Sequence, residues 1–109
     1  MADAKSERSE IKRDGATPQP NSGRGKIKKG DATLYPFLVD YKEYAKSFGV
    51  SREVWAKIST DAVTCGRMQP ALKLVLGPDG EQKTRLWVIG DQQFHEMREA
   101  WLEKYGDKE

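Results

Sequence analysis

The chain has 109 residues, of which 33% are charged and 37% hydrophobic, enough for one domain with a single modest core. Its one cysteine, Cys65, excludes an intramolecular disulfide and fits a reduced, cytoplasmic setting. No apolar run approaches the length of a membrane span and the N-terminus lacks the apolar stretch of a secretory signal, so no membrane role is expected.

Residues 1–13, MADAKSERSEIKR, have helix-forming composition but almost no apolar face, so alone they would be a marginal helix. Residues 14–30 are rich in Gly, Pro, Asn and Ser and read as loop. A weakly helical or flexible segment over 1–20 followed by a domain over 21–109 is therefore the expected organisation. DATLY and FLVDYKEY read as two strands broken near Pro36, which is tolerated at a strand start but not in its centre. In the second strand Phe37, Val39 and Tyr41 point one way, and Leu38, Asp40 and Lys42 the other.

Ser51 is a fitting N-cap with Glu53 in the first turn. Val54, Trp55, Ile58, Ala62 and Cys65 then recur at helical spacing, predicting an amphipathic helix over 52–65 that stops at Gly66. A mostly apolar strand over 70–77, a Gly-Pro-Asp-Gly turn and a returning strand over 84–90 follow. Asp91 is the expected N-cap of a last helix that carries Phe94, Met97, Trp101 and Tyr105 along one stripe. The order is (α)ββαββα, a mixed α/β domain. Trp55, Trp87 and Trp101 all fall on periodic apolar positions and are expected in the core.

Charge is unevenly spread. Residues 1–29 hold eight Lys/Arg against four Asp/Glu, whereas residues 30–109 hold eleven against thirteen. A basic leader before a slightly acidic body points either to a polyanionic partner or to a solubilising tail. Within the leader, SGRGKIKK offers backbone N–H groups and four cations, Arg24, Lys26, Lys28 and Lys29, suited to tracking a phosphate backbone. The spacing of a phosphate-cradling Walker loop is absent. No Cys/His pair has zinc spacing, and His95, on the last helix beside Phe94, reads as a surface or packing residue.

The residues with the most chemical potential are Asp31, Asp40 and Lys42. Asp40 and Lys42 share a strand face, with Cα atoms ~7 Å apart. With Asp31 on an antiparallel neighbour, two carboxylates meet and repel unless a cation joins them. Oxygen ligands with open water positions suit Mg²⁺ or Mn²⁺ better than Zn²⁺. An adjacent lysine can orient water and offset charge building on a phosphate. Asp-x-Lys alone is a weak signal, since such pairs are commonly solvated cross-strand contacts.

As a connected pattern, Ser22-Gly23, Lys29-Gly30-Asp31, Phe37-Leu38-Val39-Asp40-Tyr41-Lys42, Lys46-Ser47-Phe48 and the helix from Ser51 resemble the core of short phage-encoded PD-(D/E)xK nucleases of the Holliday junction resolvase-like group. The resemblance extends through GRMQPALKLVLG and RLWVIGDQQF, so it covers roughly residues 20–97. It implies a restriction-endonuclease-like core, a small mixed sheet flanked by helices. It also implies Mg²⁺-dependent (or Mn²⁺-dependent) hydrolysis of DNA phosphodiesters, on branched recombination intermediates, leaving a 5′-phosphate and a 3′-hydroxyl. Asp31 and Asp40 would hold the metal with the main-chain carbonyl of Tyr41, Lys42 would activate water, and Glu10 or Glu7 from the leading helix would complete the site. Ser22, Arg24, Lys26, Lys28, Lys29, Lys46 and Arg52 would contact DNA. Symmetrical cutting of a four-way junction needs two sites, so a homodimer is expected. The competing class is a non-catalytic nucleic-acid- or protein-binding module that keeps the nuclease fold.

Overall fold

The computed structural model describes residues 4–19 and 31–106. Ser22, Arg24, Lys26, Lys28 and Lys29 lie outside the described residues, as does the side chain of Glu7. The elements in chain order are α1 (Ala4–Asp14), β1 (Thr17–Pro18), β2 (Asp31–Leu34), β3 (Phe37–Tyr44), α2 (Arg52–Thr64), β4 (Gln69–Leu76), β5 (Thr84–Ile89) and α3 (Asp91–Tyr105). The five strands form one sheet in the order β1-β2-β3-β4-β5, antiparallel throughout except for β3 and β4, which run parallel across the α2 crossover. This is a mixed α/β architecture. Among the described residues no helix is long and apolar enough to cross a membrane.

Two elements depart from the expected order. The segment read as loop contains β1, a two-residue edge strand against β2. Pro18 is tolerated there because an edge strand has one side with no ladder to donate to. At the other end Gly90 caps α3 and Asp91 is its first helical residue. The remaining boundaries fall close to the sequence reading. Ser51 caps α2, its Oγ accepting the Val54 N–H at 3.1 Å. Tyr35 and Pro36, joined by a cis peptide bond, turn β2 into β3.

The alternation along β3 sorts the core into two layers. Val39 and Tyr41 pack with Ala32, Ala71 and Ile11 on the face that α1 covers. Leu38 packs with Leu72, Leu74, Ile58 and Ala62 on the face that α2 covers. Trp55 and Cys65 are partly buried against this second cluster, as their helical spacing predicts.

The leading helix docks on the sheet although its sequence offers little apolar surface. Ile11 is its buried aliphatic anchor. Beside it Lys73, 3% exposed in the middle of β4, donates to Glu10 at 3.1 Å and to both oxygens of Asp14 at 2.8 and 2.9 Å. Arg85 on β5 grips both oxygens of Glu10, at 3.1 and 2.9 Å. The Tyr41 hydroxyl donates to Asp14 at 2.9 Å. The Lys73 ammonium also lies 5.9 Å from the Tyr41 ring centroid and 5.4 Å from that of Trp87, within cation–π range. A charge this deep is tolerated only when its partners are complete. Hence α1 is an integral layer of the fold, where the sequence suggested a marginal segment.

The last helix is the opposite case. None of its residues is buried, and Phe94, Met97, Trp101 and Tyr105 are all exposed. Trp87 and Trp101 are thus not core residues; 46% and 58% of their surface is open. Their periodicity was matched by amphipathic secondary structure, but among the described residues no element buries them. His95 sits on the exposed side of α3, 3.5 Å from Asp91, in keeping with a surface role.

The ionic anchoring of α1 has measurable consequences. Lys73→Met leaves Glu10 and Asp14 facing Tyr41 without their amine and is expected to lower the unfolding free energy by about 3–5 kcal/mol. Denaturant titration followed by circular dichroism checks it; an unchanged midpoint would show that Ile11 alone seats the helix. The Glu10 carboxyl is held below its ordinary 4.5, chiefly by the Arg85 hydrogen bonds, with burial opposing and Lys73 assisting. Its contribution to stability is therefore present above 4.5 and lost as pH falls through the lower folded value. Amide exchange in α1 should accelerate on that acid limb, before exchange in β4.

Candidate active site

The second polar centre lies on the other side of the sheet. Cross-strand pairing puts Asp31 directly opposite Asp40, so both side chains leave the sheet on the face that α2 covers. Lys42 follows two residues on, with its amine 3.4 Å from an Asp40 oxygen. The same amine is 5.7 Å from the Phe48 ring centroid, and Phe48 packs against Tyr44 at 5.1 Å. The loop after β3 thus folds back to hold the lysine beside the acids.

Burial differs between the three. Asp31 is buried, while the side chains of Asp40 and Lys42 keep 15% and 28% of their surface. Burial raises the Asp40 carboxyl above its ordinary value of 3.8; Lys42 pulls it down and a hydrogen bond with Asp31 assists, yet burial prevails. Lys57, from α2, adds a second positive charge. Its ammonium sits 3.1 Å from Asp61 and is raised first by that contact, then by the fields of Asp31 and Asp40. Three acids and two amines therefore meet at this rim, Lys42 paired with Asp40 and Lys57 with Asp61. For Asp40, burial favours the protonated form, while Lys42 and the hydrogen bond with Asp31 favour the ionised one.

The sequence-derived site residues separate into distinct groups. Asp31, Asp40 and Lys42 are brought together. The Tyr41 side chain turns to the opposite face to reach Asp14, so only its main-chain carbonyl is on offer to the acids. Lys46 and Arg52 are exposed on the segment leading from β3 to α2, open to a polyanion. Glu10 does not join them. Its carboxylate is committed to Lys73 and Arg85 beneath the other sheet face, with β3 and β4 in between. The leading helix docks through that ion cluster, and the docking turns its glutamate away from Asp31 and Asp40. Among the described residues no group of three or more His, Cys, Asp or Glu side chains is arranged to hold a metal.

Lys57 and Asp61 were not singled out from the sequence, and Phe48 entered only as part of the Lys46-Ser47-Phe48 segment. Lys57 and Asp61 stand at i and i+4 on the polar flank of α2, a spacing that signals an intrahelical pair. Their approach to the strand acids depends on how α2 crosses the sheet. Comparison of the chain with protein-family models, with curated proteins and with solved structures gives no match. The functional reading rests on the residues and their geometry.

The raised carboxyl of Asp40 makes a testable sign. Because folding favours its protonated form, Asp40 contributes to stability below about 3.8 and that contribution is lost as pH rises through its elevated folded value. Asp40→Asn should therefore stabilise the protein at pH 7, by about 1 kcal/mol, with the gain shrinking as the buffer approaches pH 4. Thermal melts across that range decide it. A variant less stable than wild type at pH 7 would mean that Lys42 and Lys57 outweigh the cost of burial.

Proposed function

We propose that the chain is a Mg²⁺-dependent (or Mn²⁺-dependent) endodeoxyribonuclease of the PD-(D/E)xK kind, acting on branched DNA. The observation that carries the reading is the convergence of Asp31, Asp40 and Lys42 on one sheet face. Two carboxylates there suit a hard cation that keeps waters and takes phosphate oxygens as its remaining ligands. The raised carboxyl of Asp40 fits the same group, since a nearby cation offsets the charge that burial disfavours. The Tyr41 carbonyl, at the same height on β3, is a third oxygen of the kind such an ion accepts.

When bound, the cation supplies Lewis-acid stabilisation of the phosphoryl oxygens and lowers the pKa of water. The chain's own residues do the rest. Asp31 and Asp40 would hold the cation against the sheet. Lys42, held by Asp40 and braced by Phe48, presents N–H donors to the attacking water and to the phosphate as negative charge accumulates. Lys46 and Arg52 are open to the flanking phosphates. Lys42 also offsets the charge of Asp40. The branched substrate and the 5′-phosphate product follow from the sequence resemblance.

A second reading has its own observation. With Glu10 engaged on the far face, the described residues bring the two strand acids Asp31 and Asp40 together without the leading-helix glutamate that the resemblance implies. A non-catalytic module that binds nucleic acid or protein through the same rim is consistent with that.

A four-way junction assay separates the two readings. The nuclease should nick the junction only with Mg²⁺ or Mn²⁺, and Asp40→Asn and Lys42→Ala should each lose at least roughly 10²-fold in rate while remaining folded. Mg²⁺ at ten times its dissociation constant should also stabilise wild type by about 1.4 kcal/mol, and Asp40→Asn by less. Equal DNA binding with and without metal, no cutting and no Mg²⁺-dependent stabilisation would assign the binding module instead.

A further inference from the structure

The last helix presents an apolar face that nothing in the described chain covers. Phe94, Met97, Trp101 and Tyr105 recur at intervals of three and four residues along α3, and their exposures are 53%, 49%, 58% and 58%. Spacing of that kind places them on one side of the helix. Next to them, on the sheet face shared with α1, Leu34, Phe37, Ala71, Trp87 and Ile89 line an open groove of about 340 Å³ to which Met97 also contributes. A protruding stripe and an apolar hollow thus stand side by side.

Size and charge narrow what fits there. Phe94, Trp101, Tyr105 and Trp87, each about half open and carrying ~150–250 Å², leave on the order of 300–500 Å² of aromatic surface in water. A stable interface takes about 800 Å² from each partner, with an apolar centre and a polar rim. The stripe and the groove supply such a centre, and the polar residues of α3 surround it. That rim holds four acids, Asp91, Glu96, Glu99 and Glu103, against two bases, Arg98 and Lys104. Nucleic acid and anionic bilayers select Lys- and Arg-rich faces, so this face suits neither. The segment over residues 20–30, PNSGRGKIKKG, holds one large aliphatic side chain, Ile27, too little to cover it.

We propose that this face joins two copies of the chain, the aromatic stripe of each α3 lying in the sheet groove of the other. An interface of this type is isologous: one patch carries both the knob and the hollow, each contact is made twice, and assembly stops at two. It lies away from Asp31, Asp40 and Lys42, which leave the sheet on the opposite face, so both acid clusters of such a pair stay open.

Sedimentation of the full chain over a range of concentrations tests this. Wild type should approach twice the 12.3 kDa chain mass. Trp101→Glu should weaken the association roughly 30-fold or more, and Tyr105→Glu, in the last helical turn, should act in the same direction. Leu86→Glu, at a 47% exposed position on the α2 face of the sheet, should leave the association unchanged. Circular dichroism of each variant confirms that the fold persists. Wild type monomeric at every concentration, open-ended assembly, or a dimer indifferent to both Trp101→Glu and Tyr105→Glu would overturn the proposal.

Discussion

Leu34 faces Phe37 across a two-residue turn, and the pairing that starts there runs along the hairpin to Asp31 opposite Asp40. Everything else depends on this register. A slip of one residue along β3 would exchange its two faces. Val39 and Tyr41 would leave the α1 layer, Asp40 would point at the buried Lys73, and Asp31 would lose its partner acid. Because both faces of β3 are covered, each by a different helix, the apolar cost of a slip falls on both layers at once. The turn and the two half-cores therefore place the acids as firmly as any contact between the acids themselves.

The sheet also keeps two ionic systems apart. On one side Lys73 and Arg85 are satisfied by Glu10, Asp14 and Tyr41, and the result is structural: α1 is fixed by charge where it lacks apolar surface. On the other side Asp31, Asp40, Lys42 and Lys57 form a rim that burial makes uncomfortable, with the Asp40 carboxyl pushed up. Complete pairing suits an anchor, and a buried carboxyl with a raised pKa suits the cation-binding role proposed for the rim. The two clusters draw on the same residue types and differ in burial and in the direction of the carboxyl shift: Glu10 is lowered and Asp40 raised.

Most of the element order was legible from local signals. The Ser51 cap, the 3.6-residue stripe of α2, the alternation of β3 and the turn after β4 each act over a few residues, and physics of that range survives in one sequence. The juxtaposition of Asp40 and Lys42 followed from strand geometry alone. What escaped was non-local. Lys73, isolated within PALKLVL, is a residue type that is seldom buried without a partner, a signal that the sequence reading left unused. Their source, 59 and 63 residues upstream, depends on where α1 docks. The same docking removes Glu10 from the acid pair. Likewise the stripe on α3 is real as periodicity, yet periodicity says only that a face is apolar. It does not say which surface covers it.

The sequence by itself determined the strands and helices from β2 onward, the two faces of β3, and an acid–amine pair at fixed spacing, because covalent geometry and side-chain period set those distances. Tertiary structure alone decided that α1 would be held by a buried lysine, that Glu10 would face away from the acids, that Lys57 would come within their field, and that the last helix would stay uncovered by the described residues. Each of these is settled by how elements cross the sheet, and the crossing is fixed by the sum of many weak contacts between residues far apart in the chain.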